Sequence, residues 1–256
     1  MNKARVDKDS SSQVNYDFYQ EQWKNAGAYL DKSAGAKWYN HLIDENLKHI
    51  DEKKVKHVLD VGCGVGNKTY FLANKLSNAK VVGSDFSETG IDEARKSYSA
   101  KNLQFEVGNV SGLKNANRAD LVTFFEVLEH VDSWTEVLED TIKKTNAQYI
   151  LIGSPTGKRY EGGIHTGHVL HFKKGEIEDF MRKNGYKHVK VMYAGFPFVS
   201  PIFRDLSQVM QKQYNGFVQS EPGRLHAIIN AVWYFLFRHL STKKIGNQFI
   251  GLFEKA

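Results

Sequence analysis

Val58-Leu59-Asp60-Val61-Gly62-Cys63-Gly64-Val65-Gly66-Asn67-Lys68-Thr69 is the stretch on which the fold turns. An apolar run from Val58 to Val61 stops at glycines on alternate positions, Gly62, Gly64 and Gly66, and a helical pattern begins near Asn67 and runs through Tyr70, Phe71, Leu72 and Leu76. The spacing predicts a strand, a tight turn and a helix. Glycine has no β-carbon, so the turn can take backbone angles closed to other residues and a ligand can lie against the main chain. The helix start behind it offers N–H groups without intrahelical partners, which suit a carboxylate or another anionic group.

Gly-x-Gly spacing alone is shared by several kinds of nucleotide site. A dinucleotide fingerprint has its third glycine where this chain has Asn67, so the fit to that motif is loose. A second strand, Lys80-Val81-Val82-Gly83-Ser84-Asp85, ends about twenty residues later on a carboxylate that can accept both hydroxyls of a ribose. These residues by themselves suit either a nicotinamide dinucleotide or another adenosine cofactor.

Outward from this unit the patterns alternate. Strands are expected near 56–61, 80–85, 103–107, 120–124 and 149–153, with helices near 67–76, 88–98 and 133–144. Such βαβ repetition implies an α/β, doubly wound parallel sheet with helices on both faces. Ligands of such sheets collect at the carboxyl ends of the strands, where the glycine turn, Asp85, Asn109 and Phe125 all fall.

VLDVGCGVGNKT, VVGSDFSETGIDEAR, FEVGNV and ADLVTFFEVLEHV, taken in order, resemble the cofactor motifs of the class I S-adenosylmethionine-dependent methyltransferases over roughly Lys56 to Ser154. The resemblance implies a Rossmann-like mixed seven-stranded sheet of order 3-2-1-4-5-7-6 with strand 7 antiparallel. It implies S-adenosylmethionine as cofactor, held by Asp60, Gly62, Gly64 and Gly66 of the first motif, by Asp85 and Phe86 at the ribose, by Asn109 and Val110 at the adenine, and by Phe125 lining the cleft. The family usually has Asp at the position of Asn109; an amide carbonyl can still face the adenine amino group.

Phe124-Phe125-Glu126-Val127-Leu128-Glu129-His130-Val131 is the second chemical feature. If the chain turns helical past the strand, Glu126, Glu129 and His130 stand at i, i+3 and i+4 and face the cleft together. Two readings stand. The residues bind a divalent cation such as magnesium, as in the ubiquinone-pathway O-methyltransferases and small-RNA 3′-end 2′-O-methyltransferases that this E-x-x-E-H string resembles. In that case His165, His168 or His171 from the following loop supplies a further ligand, and His171, next to Phe172, matches best. Alternatively there is no metal, the glutamates hydrogen-bond locally and His130 is a general base, with Glu129 and Glu126 orienting it.

The formal net charge of +6 permits an anionic partner, but lysines are scattered in short pairs, so a solvated surface is expected over a nucleic-acid track. One cysteine excludes an internal disulfide framework, and no apolar segment follows Met1, so a cytoplasmic location is expected. Residues 1–15 read as a flexible tail and 16–256 as a single methyltransferase domain, with an aromatic-rich helical lid over 16–50 and a substrate-side insert over 194–246 before the last strand. Within that insert Leu225 to Leu240 is the most apolar stretch, too short and too interrupted to span a bilayer; a buried helix, a dimer-forming helix and a membrane-surface helix that collects a lipid-linked acceptor are the open readings.

The expected function is therefore S-adenosylmethionine-dependent O-methylation of a small molecule or a glycoconjugate sugar hydroxyl by a monomer or homodimer. RNA 3′-end methylation, an NAD-dependent oxidoreductase and a non-catalytic cofactor-binding protein are the alternatives.

Overall fold

The computed structural model describes residues 33–108, 116–157, 167–210 and 223–256. The tail, residues 16–32 of the expected lid, Asn109, Val110 and His165 lie outside these residues.

Seven strands form one sheet in the order β3-β2-β1-β4-β5-β7-β6. They are β1 (His57–Val61), β2 (Lys80–Asp85), β3 (Leu103–Val107), β4 (Leu121–Phe125), β5 (Tyr149–Pro155), β6 (Tyr186–Ala194) and β7 (Gln248–Lys255). The pairs among β1 to β5 are parallel, while β7 runs antiparallel to both β5 and β6. This is the order and polarity that the family resemblance implies. The helices are α1 (Ala34–Leu47), α2 (Asn67–Lys75), α3 (Glu88–Ser97), α4 (Trp134–Thr145), α5 (Glu176–Lys183), α6 (Arg204–Val209) and α7 (Arg224–Phe235).

Every residue of β4 and of β5 is buried, which explains why their sequences read as continuous apolar runs rather than alternating ones. Two apolar clusters cover the two faces of the sheet. One joins α1 and α2 to the sheet and includes Trp38, Leu42, Leu72, Leu151 and Phe237; the other includes Phe124, Leu138, Phe172, Met181 and Phe249 beneath α4 and α5. Asp120 fixes the start of β1 against β4, its Oδ2 accepting from the N–H groups of Lys56 (2.8 Å) and His57 (2.9 Å).

α1 buries Ala34, Trp38, Tyr39, Leu42, Ile43 and Leu47, a stripe at helical spacing, and begins where the Ser33 hydroxyl accepts from the Ala36 N–H at 3.1 Å. Between β6 and β7 lies the helical insert, made of a turn over Phe198–Phe203, then α6, α7 and a continuation over Leu236–Leu240. Phe203 packs edge-on against Trp233 and Phe237, and Trp38 of α1 packs against the same Phe237. The insert is thereby tied to the helix that crosses the functional edge of the sheet.

Candidate active site

The glycine turn is tied to the end of β2. The N–H groups of Gly62 and Cys63 both reach the Ser84 carbonyl, at 2.8 and 3.0 Å. Gly62 has φ 70° and Gly66 φ 84°, and a β-carbon would lie 2.6 Å from Val127 at the first and 2.6 Å from the Phe105 ring at the second. Glycine at these two places is therefore required by conformation and by close packing of the turn under its neighbours.

Asp85 lies at the carboxyl end of β2, 7% exposed, with Oδ2 accepting from Gly64 N–H and Oδ1 from Ser87 N–H, each at 2.8 Å. Burial raises its pKa, and the backbone donors oppose that rise. Beside it Phe86 is 47% exposed, and Val107, the register partner of Asp85 on β3, is 44% exposed. A buried carboxylate thus sits beside two exposed apolar side chains.

Asp60, expected in contact with a cofactor, is 1% exposed, and its oxygens are taken by the hydroxyls of Thr69 (2.7 Å) and Thr123 (2.6 Å). These two bonds brace the turn between α2 and β4. Desolvation lifts its pKa to about 6 against the two hydroxyl hydrogen bonds. Cys63 is buried, and burial pushes its thiol pKa well up, so it is a small packing residue and not a nucleophile.

The continuous helix expected past β4 does not form. Glu126 has φ 58°, a left-handed conformation, and the chain resumes as a short 3-10 turn over Leu128–His130. Glu126 is consequently turned to the opening of the cleft, where its Oε1 accepts from the Tyr39 hydroxyl (2.9 Å) and from the Gln248 amide (2.8 Å). Tyr39 meets Phe125 edge-on, and its hydroxyl occupies the space over Gly153, where a β-carbon would stand 2.0 Å from it. A glycine inside β5 is the signal that something must approach that strand closely, and it points to Tyr39.

Glu129 is fully buried. Its Oε2 accepts from the Ser154 hydroxyl at 2.8 Å, while Oε1 has no hydrogen-bond partner among the described residues. Burial, followed by the neighbouring Glu126 charge, holds its pKa well above the ordinary carboxylate range. The ligand atoms of Glu129, His130 and His168 all lie within 4.8 Å of one another, and His130 Nε2 is 3.8 Å from Glu129 Oε1.

His130 Nδ1 is 3.0 Å from the Gly167 carbonyl, which can only accept, so Nδ1 carries the proton and Nε2 the lone pair. Burial, the largest influence, lowers the pKa of His130, so the ring is neutral at pH 7. His171, the loop ligand preferred from sequence, stands behind this cluster, with its Nε2 2.9 Å from His168 Nδ1. Of the residues expected to share a metal site, this group contains Glu129 and His130 with His168, and Glu126 and His171 are outside it. A buried carboxyl oxygen without a partner and two imidazoles form a donor set that fits a divalent cation.

A family profile described as a methyltransferase domain matches residues 52–189. The ubiquinone biosynthesis O-methyltransferase of Coxiella burnetii is 34% identical over 138 residues, 51% of this chain and 54% of that protein. The malonyl-[acyl-carrier protein] O-methyltransferase of Bacillus anthracis is 21% identical over 196 residues, 73% of each chain. The chain thus spans about half the length of the first of these relatives. Among solved structures, the magnesium protoporphyrin IX methyltransferase of Synechocystis PCC 6803 with bound SAH superposes with a TM-score of 0.53 at 18% identity, covering 70% of this chain and 91% of that one. The matched residues 52–189 contain the glycine turn, the carboxylate at the end of β2 and the Glu129–His130 pair, and the chain belongs to the methyltransferase-domain family of class I S-adenosylmethionine-dependent methyltransferases.

Proposed function

We propose that this chain methylates a hydroxyl of a small molecule or of a glycoconjugate sugar, using S-adenosylmethionine bound across the carboxyl ends of β1, β2 and β4. The glycine turn and Asp85 hold the amino-acid and ribose parts, and Phe86 and Val107 carry the adenine. The bound sulfonium supplies an already electrophilic methyl group. What remains for the protein is to hold an acceptor oxygen in line and to take its proton.

His130 is the group for that task. Its Nδ1–H is committed to the Gly167 carbonyl, and its neutral Nε2 is directed toward Glu129. Glu126, fixed by Tyr39 and Gln248 at the opening, orients the acceptor. With a divalent cation held by Glu129, His130 and His168, Nε2 would be a ligand in place of a base, and the cation would acidify the acceptor hydroxyl. Two imidazoles with one carboxylate favour manganese, iron or zinc over magnesium, which prefers oxygen ligands.

The observation that carries the reading is the pairing of a buried carboxyl with an orphan oxygen and a neutral imidazole beside an adenosine-type turn. Oxygen acceptors need proton removal, and the two relatives described above are O-methyltransferases. Incubation with methyl-labelled S-adenosylmethionine and fractionated cell extract, with and without chelator, tests it. The expected product is a labelled ether whose formation falls on chelation and is lost in His130→Ala. Label on nitrogen or carbon, or turnover indifferent to His130, would overturn it.

A further inference from the structure

α7 is apolar on both sides. Toward the core it presents buried Asn230 and, beyond its end, buried Phe237, with Trp233 between them; Asn230 Oδ1 accepts from the Ala34 N–H of α1 at 3.1 Å. On the opposite side Leu225, Ile228, Val232 and Phe235, at helical spacing, are 65%, 61%, 54% and 56% exposed. A helix apolar all round is normally buried, and single exposed residues need no explanation, but an aligned stripe does. The adjoining α6, joined through Phe203, likewise exposes Leu206 and Val209.

Along this segment the charge is one-signed, while the adjoining α6 carries Asp205 paired with Arg204. Between Gly223 and Asn247 the sequence contains Arg224, Arg238, Lys243 and Lys244 and no aspartate or glutamate. Arg224, Arg238 and Lys244 are exposed. On the adjoining face of α1, Glu45 is shared among Lys48, Lys190 and Lys243, leaving that cluster positive as well. His41 lies close enough to Lys243 and Arg238 for both to lower its pKa, behind the larger effect of burial.

We propose that the outward face of α7 is a docking surface for an anionic lipid bilayer, with the apolar stripe entering the interface and the flanking cations meeting lipid phosphates. An in-plane helix with an apolar stripe and basic flanks has this behaviour, and each basic residue near such a surface adds to the attraction. No described helix is long and apolar enough to cross a membrane, so the contact is superficial. A second copy of the chain is a poorer occupant. A two-fold interface through this face would bring the patch carrying Arg224, Arg238 and Lys244 against the same patch of the other copy, with no acid in the segment to pair them. Since α1 touches α7 and also carries Tyr39 into the cleft, docking would bring the opening of the site close to the bilayer. The docking itself does not depend on the proposed reaction.

Flotation of the whole chain with phosphatidylcholine vesicles, with and without phosphatidylglycerol, tests this. Binding is expected to the anionic vesicles only and to weaken with salt. Ile228→Glu with Phe235→Glu should abolish it, and Arg238→Ser with Lys244→Ser should weaken it roughly thirtyfold. Melting curves and S-adenosylhomocysteine binding report whether each variant is folded; if the acidic pair unfolds the protein, the exposed Arg238 and Lys244 pair still decides. Absence of vesicle binding, equal binding to neutral vesicles, or a dimer in light scattering that Ile228→Glu dissolves would each overturn the proposal, the last in favour of a second copy.

Discussion

Burial sets the protonation of Asp60 and of His130. The pKa of Asp60 is about 6 in the fold against 3.8 for the free side chain. The native state binds this proton more tightly than the unfolded one, so its contribution to stability is fully present below about pH 4 and is lost as the pH rises to about 6. The gap corresponds to roughly 3 kcal/mol between those limits. Asp60→Asn can still serve both threonine hydroxyls. Its stability relative to the native protein, measured by urea unfolding, should therefore improve by up to about 3 kcal/mol between pH 4 and pH 7. A difference independent of pH would remove Asp60 from this role. His130 gives a second expectation: with its pKa below the usual 6.5, kcat/KM should rise through an acidic limb and stay level above it. His130→Ala should lose roughly a hundredfold to ten-thousandfold in kcat.

At the scale of elements, the strand–turn–helix at Val58–Thr69 makes the glycines testable. Gly66→Ala forces a β-carbon into both a left-handed backbone and the Phe105 ring, and should cost about 2–5 kcal/mol, read as a fall in the urea midpoint. The strands of this region were legible because their period and punctuation are local: apolar runs, glycines and a carboxylate at fixed offsets. The site beyond β4 was less so. Its three acid and base side chains are spaced as on a helix, and only the left-handed Glu126 separates one from the others. Likewise His168 and His171 are alike in composition, and which one faces His130 is set by the loop after β5. Tyr39 and Gln248 reach Glu126 from distant parts of the chain, which no spacing in the sequence encodes.

Over the whole molecule, the sheet order was legible through the resemblance of four ordered motifs, whereas the position of α7, one face on Phe203 and Trp38 and the other bare, required the tertiary packing. The organisation of the fold then has a single centre: the edge where the glycine turn, Asp85, Glu126 and His130 meet. The most direct test of that centre is a calorimetric titration with S-adenosylhomocysteine, comparing the native chain with Asp85→Ala. Saturable heat is expected from the native chain, with affinity reduced about tenfold or more in the variant, the size expected for losing hydrogen bonds to a charged group. No heat from the native chain, or equal affinity in both proteins with Asp85→Ala still folded, would contradict the account.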